Sequence, residues 1–345
     1  MSRVEPLILC INPGSTSVKL GLFRGIEAVQ TENITRRENT PADITDEIIA
    51  VKEFTGSEVP DLIMARGGLL KPMPSGVYRV NERMLRDLAN APYRHASNLA
   101  APIAHRLAVE WGVRAYIADP VTTDELNDIA RPAGHPLFER KSIFHALNHK
   151  AMARKYAESV GRKYEDMNLI VIHLGGGISI GAHRRGRVVD VNQALDGEGP
   201  FTPQRSGTLP AGDLVRLAFS GRYSEEEMLR MITGEGGLKA YTGTSDMRAL
   251  EKRLENEVEV RKAVDAMIYQ TAKYAGEMAV VLRGDVDAII ITGGLAYSGY
   301  IIENLLPWLQ WMAPVAIFPG ENELAALAYN GWLVWTGQLE VKEYE

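Results

Sequence analysis

Apolar and polar positions along the chain follow two rhythms. An apolar run over 7–11 is broken by Asn12-Pro13-Gly14-Ser15, after which Val18, Leu20 and Leu22 recur at every second position. A short apolar run, a turn and a period-two run predict strand, turn, strand. The same plan returns at 169–174, where an apolar run meets Gly175-Gly176-Gly177 and continues through 178–182. A tight turn at Arg185-Gly186 then leads to a third strand over 188–191, and Arg24-Gly25 marks the matching turn of the first half. This recurrence predicts duplication of one hairpin-bearing α/β domain. Helical spacing fills the intervals. Residues 142–160 carry apolar side chains at helical steps and stop at Gly161, and residues 257–283 read as a long helix ended by Gly284. Ser224-Glu225-Glu226-Glu227 has the form of a capping box ahead of Met228 and Leu229. Residues 289–292 read as a further buried strand before Gly293-Gly294. The domain boundary is expected near residue 150, giving domains over 1–150 and 151–345.

Composition narrows the class without naming a chemistry. The 345 residues suffice for two cores, and 46% hydrophobic with 24% charged residues is ordinary for a globular enzyme. A formal net charge of -6 speaks against a nucleic-acid surface. Cys10 is the single cysteine and lies in an apolar run, which rules out an internal disulfide and a multi-cysteine metal site. The segment 1–6 lacks the layout of a signal peptide, and no apolar stretch is long enough to span a bilayer. A cytoplasmic protein with no membrane partner is expected.

Three glycine-rich turns, each directly after an apolar strand, carry the candidate chemistry: 12–17, 175–179 and 292–296. Glycine there lets backbone N–H groups approach phosphate oxygens, and the hydroxyls of Ser15, Thr16 and Ser17 add donors. Neither G-x-x-x-x-G-K-[ST] nor a strand–G-x-G-x-x-G–helix unit occurs, so P-loop and Rossmann readings lose their support. Arg66 precedes Gly67-Gly68, Arg205 lies in Arg205-Ser206-Gly207, and Asp246 and Arg248 lie in Ser245-Asp246-Met247-Arg248. Most of the 38 Lys and Arg residues are ordinary surface charges. Fixed arginines beside glycine-rich loops nevertheless suit phosphoryl transfer, which needs positive groups around the equatorial oxygens. His173 stands immediately before the Leu174-Gly175-Gly176-Gly177 turn. His145 and His149 are spaced i, i+4, but H-A-L-N-H lacks the glutamate of H-E-x-x-H, which speaks against zinc.

These motifs resemble those of the acetate and butyrate kinases. Ile11-Asn12-Pro13-Gly14-Ser15-Thr16-Ser17-Val18-Lys19 is similar to the first signature of that family, and Val171-Ile172-His173-Leu174-Gly175-Gly176-Gly177-Ile178-Ser179-Ile180 to the second. The resemblance extends through Gly134-His135-Pro136-Leu137, Phe144-His145-Ala146, Arg205-Ser206-Gly207, Ser245-Asp246-Met247-Arg248 and Gly320-Glu321-Asn322-Glu323-Leu324. It implies two duplicated ribonuclease-H-like domains with ATP in the cleft between them. The N-terminal domain would lie on the carboxylate side and the C-terminal domain on the nucleotide side, with the last helix packing back on the first domain. It further implies that Arg205 holds the transferring phosphoryl group, His145 stabilises it, Asp119 orients the site and Arg66 belongs to the catalytic set. Asn12 with Glu321 or Glu323 would serve the Mg²⁺–phosphate end. Ser15, Thr16, Ser17, Lys19, His173, Gly175, Gly176 and Gly177 would surround the phosphates. Asp246, Arg248, Gly293 and Gly294 would contact the nucleoside.

Four departures point to the butyrate kinase branch. Acetate kinases resemble R-x-x-H-G-G where this chain has Ile63 and Arg66-Gly67-Gly68, H-N-P-x-N where it has His95-Ala96-Ser97-Asn98, and L-G-N-G where it has Leu174-Gly175-Gly176-Gly177. They are also longer. The implied reaction is reversible phosphoryl transfer between ATP and butanoate, with Mg²⁺, in a homo-oligomer whose partners are the acid and the nucleotide. Rivals are a kinase for acetate, propionate or a branched acid and, from another class, an ATP-binding chaperone-like or regulatory protein. The chaperone would carry a substrate-binding or polymerisation segment, for which 345 residues leave no expected room, and the regulator a DNA-binding region, for which a first strand beginning at residue 7 leaves none.

Overall fold

The computed structural model describes residues 5–14, 17–35, 43–91 and 96–345. Ser15, Thr16 and His95, named above, lie outside the described residues. In chain order the strands are β1 (Leu7–Pro13), β2 (Ser17–Arg24), β3 (Glu27–Thr35), β4 (Leu62–Arg66), β5 (Val77–Arg79), β6 (Arg114–Ala118), β7 (Asn168–Leu174), β8 (Ile178–Arg184), β9 (Arg187–Val191), β10 (Ala288–Gly293), β11 (Val315–Pro319) and β12 (Val341–Lys342). Two compact units result: Met1–Thr123 with Ala146–Asn148 and Asn322–Glu345, and Asp124–His145 with His149–Glu321.

The first unit holds the sheet β12-β5-β6-β4-β1-β2-β3 and the second the sheet β11-β10-β7-β8-β9. The two share one wiring. In each, three consecutive strands pair antiparallel, β1-β2-β3 and β7-β8-β9, and the first of them pairs parallel with a later strand, β4 or β10. The next strand out, β6 or β11, is again parallel. Even the ladder irregularity repeats, at Leu22/Phe23 in β2 and Ala182/His183 in β8. The first hairpin turns at Gly25 (φ 61°) and the second at Arg185 and Gly186 (φ 48° and 83°), as the sequence led one to expect.

Both central strands are buried on two faces, which explains their unbroken apolar runs. Leu7, Leu9 and Ile11 of β1 belong to one cluster with Val51, Ile103 and Leu107. Alternation sends Ile8, Cys10 and Asn12 to the opposite face. The helix Glu323–Trp335 covers that face, and Gly331 permits the approach: a Cβ there would stand 2.8 Å from Met64 Cγ. In the second unit Ile170, Ile172 and Leu174 pack with Val264, Met267 and Ile268 of the helix Val258–Val281. Leu169 and Val171 pack on the other side with Met152, Ala153 and Ala157 of the helix Ala146–Ser159.

Two boundaries differ from the sequence reading. The helix expected from residue 142 begins at Ala146. The residues before it are not helical and are tied to the second unit by the bond from Ala194 N–H to Ile143 C=O. The units divide after Thr123, ahead of the boundary expected near residue 150. Glu125 explains why Asp124–His145 joins the second unit: its carboxylate accepts from Val188 N–H at 2.9 Å and from Lys150 Nζ at 2.6 Å. The Ser224–Glu227 capping box forms as expected, and Gly161 and Gly284 follow their helices in the left-handed region (φ 68° and 75°).

Candidate active site

Duplication puts a polar residue at the penultimate position of each central strand: Asn12 in β1 and His173 in β7. Their cross-strand partners are Lys19 and Ser179. Directly opposed residues of an antiparallel pair share a face, so each pair projects toward the helix covering that side. Each of these helices in turn starts with a polar residue, Glu323 in the first unit and His145, just before Ala146, in the second.

In the first unit Glu323 is 3% exposed. Its Oε2 accepts from Asn12 Nδ2, and from Arg66 Nη1 at 3.1 Å. Arg66 Nη1 also reaches Asn12 Oδ1 at 3.3 Å. Arg66 ends β4, which runs parallel to β1, so strand register delivers it to Asn12. The chain after Arg66 is fixed by Asn98, whose Oδ1 accepts Leu69 N–H at 2.8 Å. Asp119 follows β6 in the left-handed region (φ 37°) and is buried; its Oδ1 accepts from Ser75 Oγ at 2.6 Å and Gly76 N–H at 2.9 Å.

This donor set meets what Mg²⁺ requires. The ion takes hard oxygen ligands, retains waters and is commonly held by one or two carboxylates plus substrate phosphates. Asn12 and Glu323 offer an amide oxygen and a carboxylate. Among the described residues no group of three or more His, Cys, Asp or Glu side chains gathers, as a cage independent of phosphate would need.

The second unit holds Arg205, His145, His173, Glu321, the 175–177 turn, Asp246, Arg248, Gly293 and Gly294. Arg205 packs its guanidinium against Gly177 and donates to Ala194 C=O. A Cβ at residue 177 would collide with that guanidinium, so the glycine is what admits the arginine to the turn. At Gly176 a Cβ would meet only Gln204 Oε1, at 3.9 Å. That position has room for a side chain, in keeping with the asparagine acetate kinases carry there. Thr202 fastens the Arg205 loop to the turn: its Oγ1 donates to Gly176 C=O at 2.7 Å and accepts Arg205 N–H at 2.9 Å. Burial lowers the Arg205 pKa and the nearby Asp196 opposes this; a guanidinium keeps its charge throughout.

His173 is fully buried, stacks on His145 at 3.8 Å between ring centroids, and has Nε2 3.5 Å from Glu321 Oε1. The two glutamates that sequence left undecided thus separate: Glu323 joins Asn12 and Arg66, and Glu321 joins His173. The i, i+4 histidines converge on a hydroxyl, with His145 Nδ1 and His149 Nε2 each 2.9 Å from Ser179 Oγ. Beyond them His149 Nδ1 stands 3.2 Å from His183 Nε2, and His183 Nδ1 stands 2.7 Å from Tyr164 Oη. The sequence reading singled out neither His183 nor Tyr164; the only signal was a histidine four residues after Ser179 on an apolar strand.

Burial pushes both His149 and His183 well below the ordinary histidine pKa. Below about pH 6.5 the unfolded chain therefore binds protons that the folded chain does not, and stability must rise with pH across that window. Urea unfolding at pH 7.5, 6.5 and 5.5 should show stability falling toward acid by up to about 1.4 kcal/mol per pH unit for each histidine. A flat profile over this range would mean the pair is protonated inside the fold.

Asp246 caps the helix Met247–Glu251, accepting Arg248 N–H at 3.0 Å. With Arg248, Glu251, Gly294, Leu295 and Tyr297 it lines a cavity of about 530 Å³. Gly293, just before the lining residue Gly294, has φ 93°, and a Cβ there would strike the Leu174 backbone. Ser17 and Lys19 lie in β2 of the first unit. No helix among the described residues is long and apolar enough to cross a membrane.

Comparison with known proteins bears directly on this assembly. Residues 85–316 match the acetokinase family. Butyrate kinase 2 of Clostridium acetobutylicum is 46% identical over 98% of this chain and 99% of its own length. A probable butyrate kinase of Phocaeicola vulgatus is 47% identical over 98% of this chain and 99% of its own length. Among solved structures, acetate kinase of Porphyromonas gingivalis superimposes with a TM-score of 0.80 at 18% identity, covering 96% of this chain and all of that one. A propionate kinase of Francisella tularensis gives 0.77 at 18% identity, covering 94% of this chain and 98% of that one. The structural likenesses establish the fold, two ribonuclease-H-like domains.

Proposed function

The chain belongs to the acetokinase family, and on that premise we propose that it is a butyrate kinase, transferring a phosphoryl group reversibly between ATP and butanoate. The observation that carries the acid is identity of 46–47% over nearly the whole chain with relatives named butyrate kinase.

A short-chain carboxylic acid is ionised at neutral pH, so the nucleophile needs no general base. The barrier lies in bringing an anion to an anionic phosphate, and positioned positive charge lowers it. In this reading Arg205, admitted by Gly177, holds the equatorial oxygens of the transferring group. His145 donates a hydrogen bond to the same group, and His173 with Gly175, Gly176 and Gly177 lines the phosphate turn. Asp246, Arg248, Gly293 and Gly294 serve the nucleoside at the 530 Å³ cavity. Asn12 and Glu323 would hold Mg²⁺, which when bound spreads the phosphate charge. Arg66 keeps Glu323 and Asn12 oriented, and Asp119 orients the site through the Ser75–Gly76 turn. Direct in-line transfer follows, since the ionised acid is already the nucleophile. An ATP-dependent reaction of this kind belongs in the cytoplasm, and the reading includes assembly into a homo-oligomer.

Trapping the acyl phosphate with hydroxylamine tests the proposal. With saturating MgATP, kcat/KM is measured for acetate, propanoate, butanoate, pentanoate and 2-methylpropanoate. Each methylene buried in an apolar pocket contributes about 0.8 kcal/mol, so acetate, two methylenes shorter, should fall below butanoate by roughly tenfold to 10³-fold. Acetate equal to butanoate would overturn the acid assignment. Inactivity with all five would overturn the enzyme class.

A further inference from the structure

The phosphoryl-transfer reading uses His145 but leaves unexplained what stands behind it. Four side chains do: Ser179, His149, His183 and Tyr164. All are buried, and they form one unbroken line of contacts, His145 Nδ1–Ser179 Oγ–His149 Nε2, then His149 Nδ1–His183 Nε2, then His183 Nδ1–Tyr164 Oη, at 2.9, 2.9, 3.2 and 2.7 Å. A buried polar network of this length is costly unless every member is satisfied, and a fully connected one fixes its members in a single arrangement. Sequence arranged room for it. Ser179 and His183 lie on one face of β8 with Gly181 between them, and a Cβ at Gly181 would press on the His149 ring, 3.3 Å from Nδ1.

We propose that Ser179, His149, His183 and Tyr164 are positioning residues that hold the His145 ring with Nδ1 as a hydrogen-bond acceptor, so that its proton resides on Nε2, the nitrogen turned away from Ser179. The inference rests on the carboxylate kinase reading above. The polarity of the line follows from its far end. Lys150 Nζ and Arg154 Cζ lie 5.6 and 5.9 Å from the Tyr164 ring centroid and draw electron density from the phenol. That makes its O–H the better donor and its oxygen the poorer acceptor. Tyr164 then donates to His183 Nδ1. His183, neutral because burial disfavours its charged form, carries its proton on Nε2 and donates to His149 Nδ1. His149, neutral for the same reason, donates from Nε2 to Ser179, whose hydroxyl donates to His145 Nδ1. The nitrogen left carrying hydrogen is His145 Nε2, a donor suited to a phosphoryl oxygen. Stacking on His173 at 12° between ring planes holds the ring against rotation.

A double-mutant cycle tests this. Ser179→Ala removes one oxygen and cuts the line next to His145. It should lower kcat about 10–100-fold and leave KM for acid and MgATP within about threefold, because the lost interaction acts on the transferring group. In a His145→Ala background the same substitution should change kcat by less than about twofold, since it acts only through His145. A further loss there equal to that in the wild-type background would overturn the proposal and mark Ser179 as merely structural. His149 gives a second measurement should Ser179→Ala fail to fold. Gln places its amide where Nε2 stands and keeps the link to Ser179, whereas Asn places it near Nδ1 and loses the link. His149→Gln should retain kcat within about threefold and His149→Asn should fall 10–100-fold, and equal losses would overturn the proposal. Wild-type inactivity on every acid would instead fail the kinase reading, a result these ratios do not imitate.

Discussion

Arg205→Ala should lower kcat by roughly 10²–10⁴, a loss of about 3–5 kcal/mol of transition-state stabilisation, while the protein remains folded. The geometry separates the two effects. The Arg205 loop is held by backbone: Thr202 N–H donates to Arg205 C=O at 2.9 Å, and Arg205 N–H donates to Thr202 Oγ1. Neither bond needs the side chain. The guanidinium, by contrast, is half-buried against Gly177 at the turn where phosphate is expected, and alanine supplies neither its charge nor its paired donors. Arg205→Lys should fall between the two, because it keeps the charge and loses the fork. Steady-state kinetics with butanoate and MgATP, read beside thermal unfolding, make the check. A folded alanine variant with kcat within threefold of wild type would remove Arg205 from the mechanism.

The largest effect on stability is expected at Lys150→Met. Lys150 is 1% exposed, and its ammonium donates to Glu125 Oε2 at 2.6 Å and to Gly186 C=O at 2.7 Å. Methionine keeps the length of the side chain and removes the charge, leaving the Glu125 carboxylate with Val188 N–H against it and no ammonium. Breaking a buried pair from one side costs about 3–5 kcal/mol, a fall in Tm of roughly 4–7 °C for a chain of this size. Adding Glu125→Gln to Lys150→Met should recover much of the loss, because no uncompensated charge then remains. Calorimetry on the two variants decides. A single variant within about 2 °C of wild type would mean that water reaches the pair.

How far the sequence could be read depended on how locally each feature is encoded. The hairpins β1-β2 and β7-β8 were legible because both faces of each central strand are buried and a glycine-bearing turn follows. β3 was not, since its residues 27–33 are all exposed and it is held by ladder bonds to β2 with no apolar pattern of its own. The start of the helix at Ala146 was hidden because apolar spacing continues through Ile143 and Phe144, and a long-range bond from Ala194 decides the matter. Arg205, His145 and His173 carry local motif signals. The division of labour between Glu321 and Glu323 carries none, because Glu321 meets His173 only once β11 and β7 flank β10, and Glu323 meets Asn12 only once its helix docks on β1. The His183–Tyr164 contact spans 19 positions and appears only once β8 lies alongside β7.

The way the first unit is closed bears on how a growing chain can fold. Its sheet begins with the earliest described strand, yet the cover over Ile8 and Met64 comes from Glu323–Trp335 and its edge from β12. A ribosome delivers these after residues 124–321. During synthesis the second unit, drawn almost wholly from 124–321, has every strand and helix in hand while the first still exposes one apolar face. Domains usually mature in the order they are made; this wiring predicts the inverse order. The unfinished first sheet, with Cys10 and its apolar neighbours uncovered, must await the docking of Glu323–Trp335 to close that face.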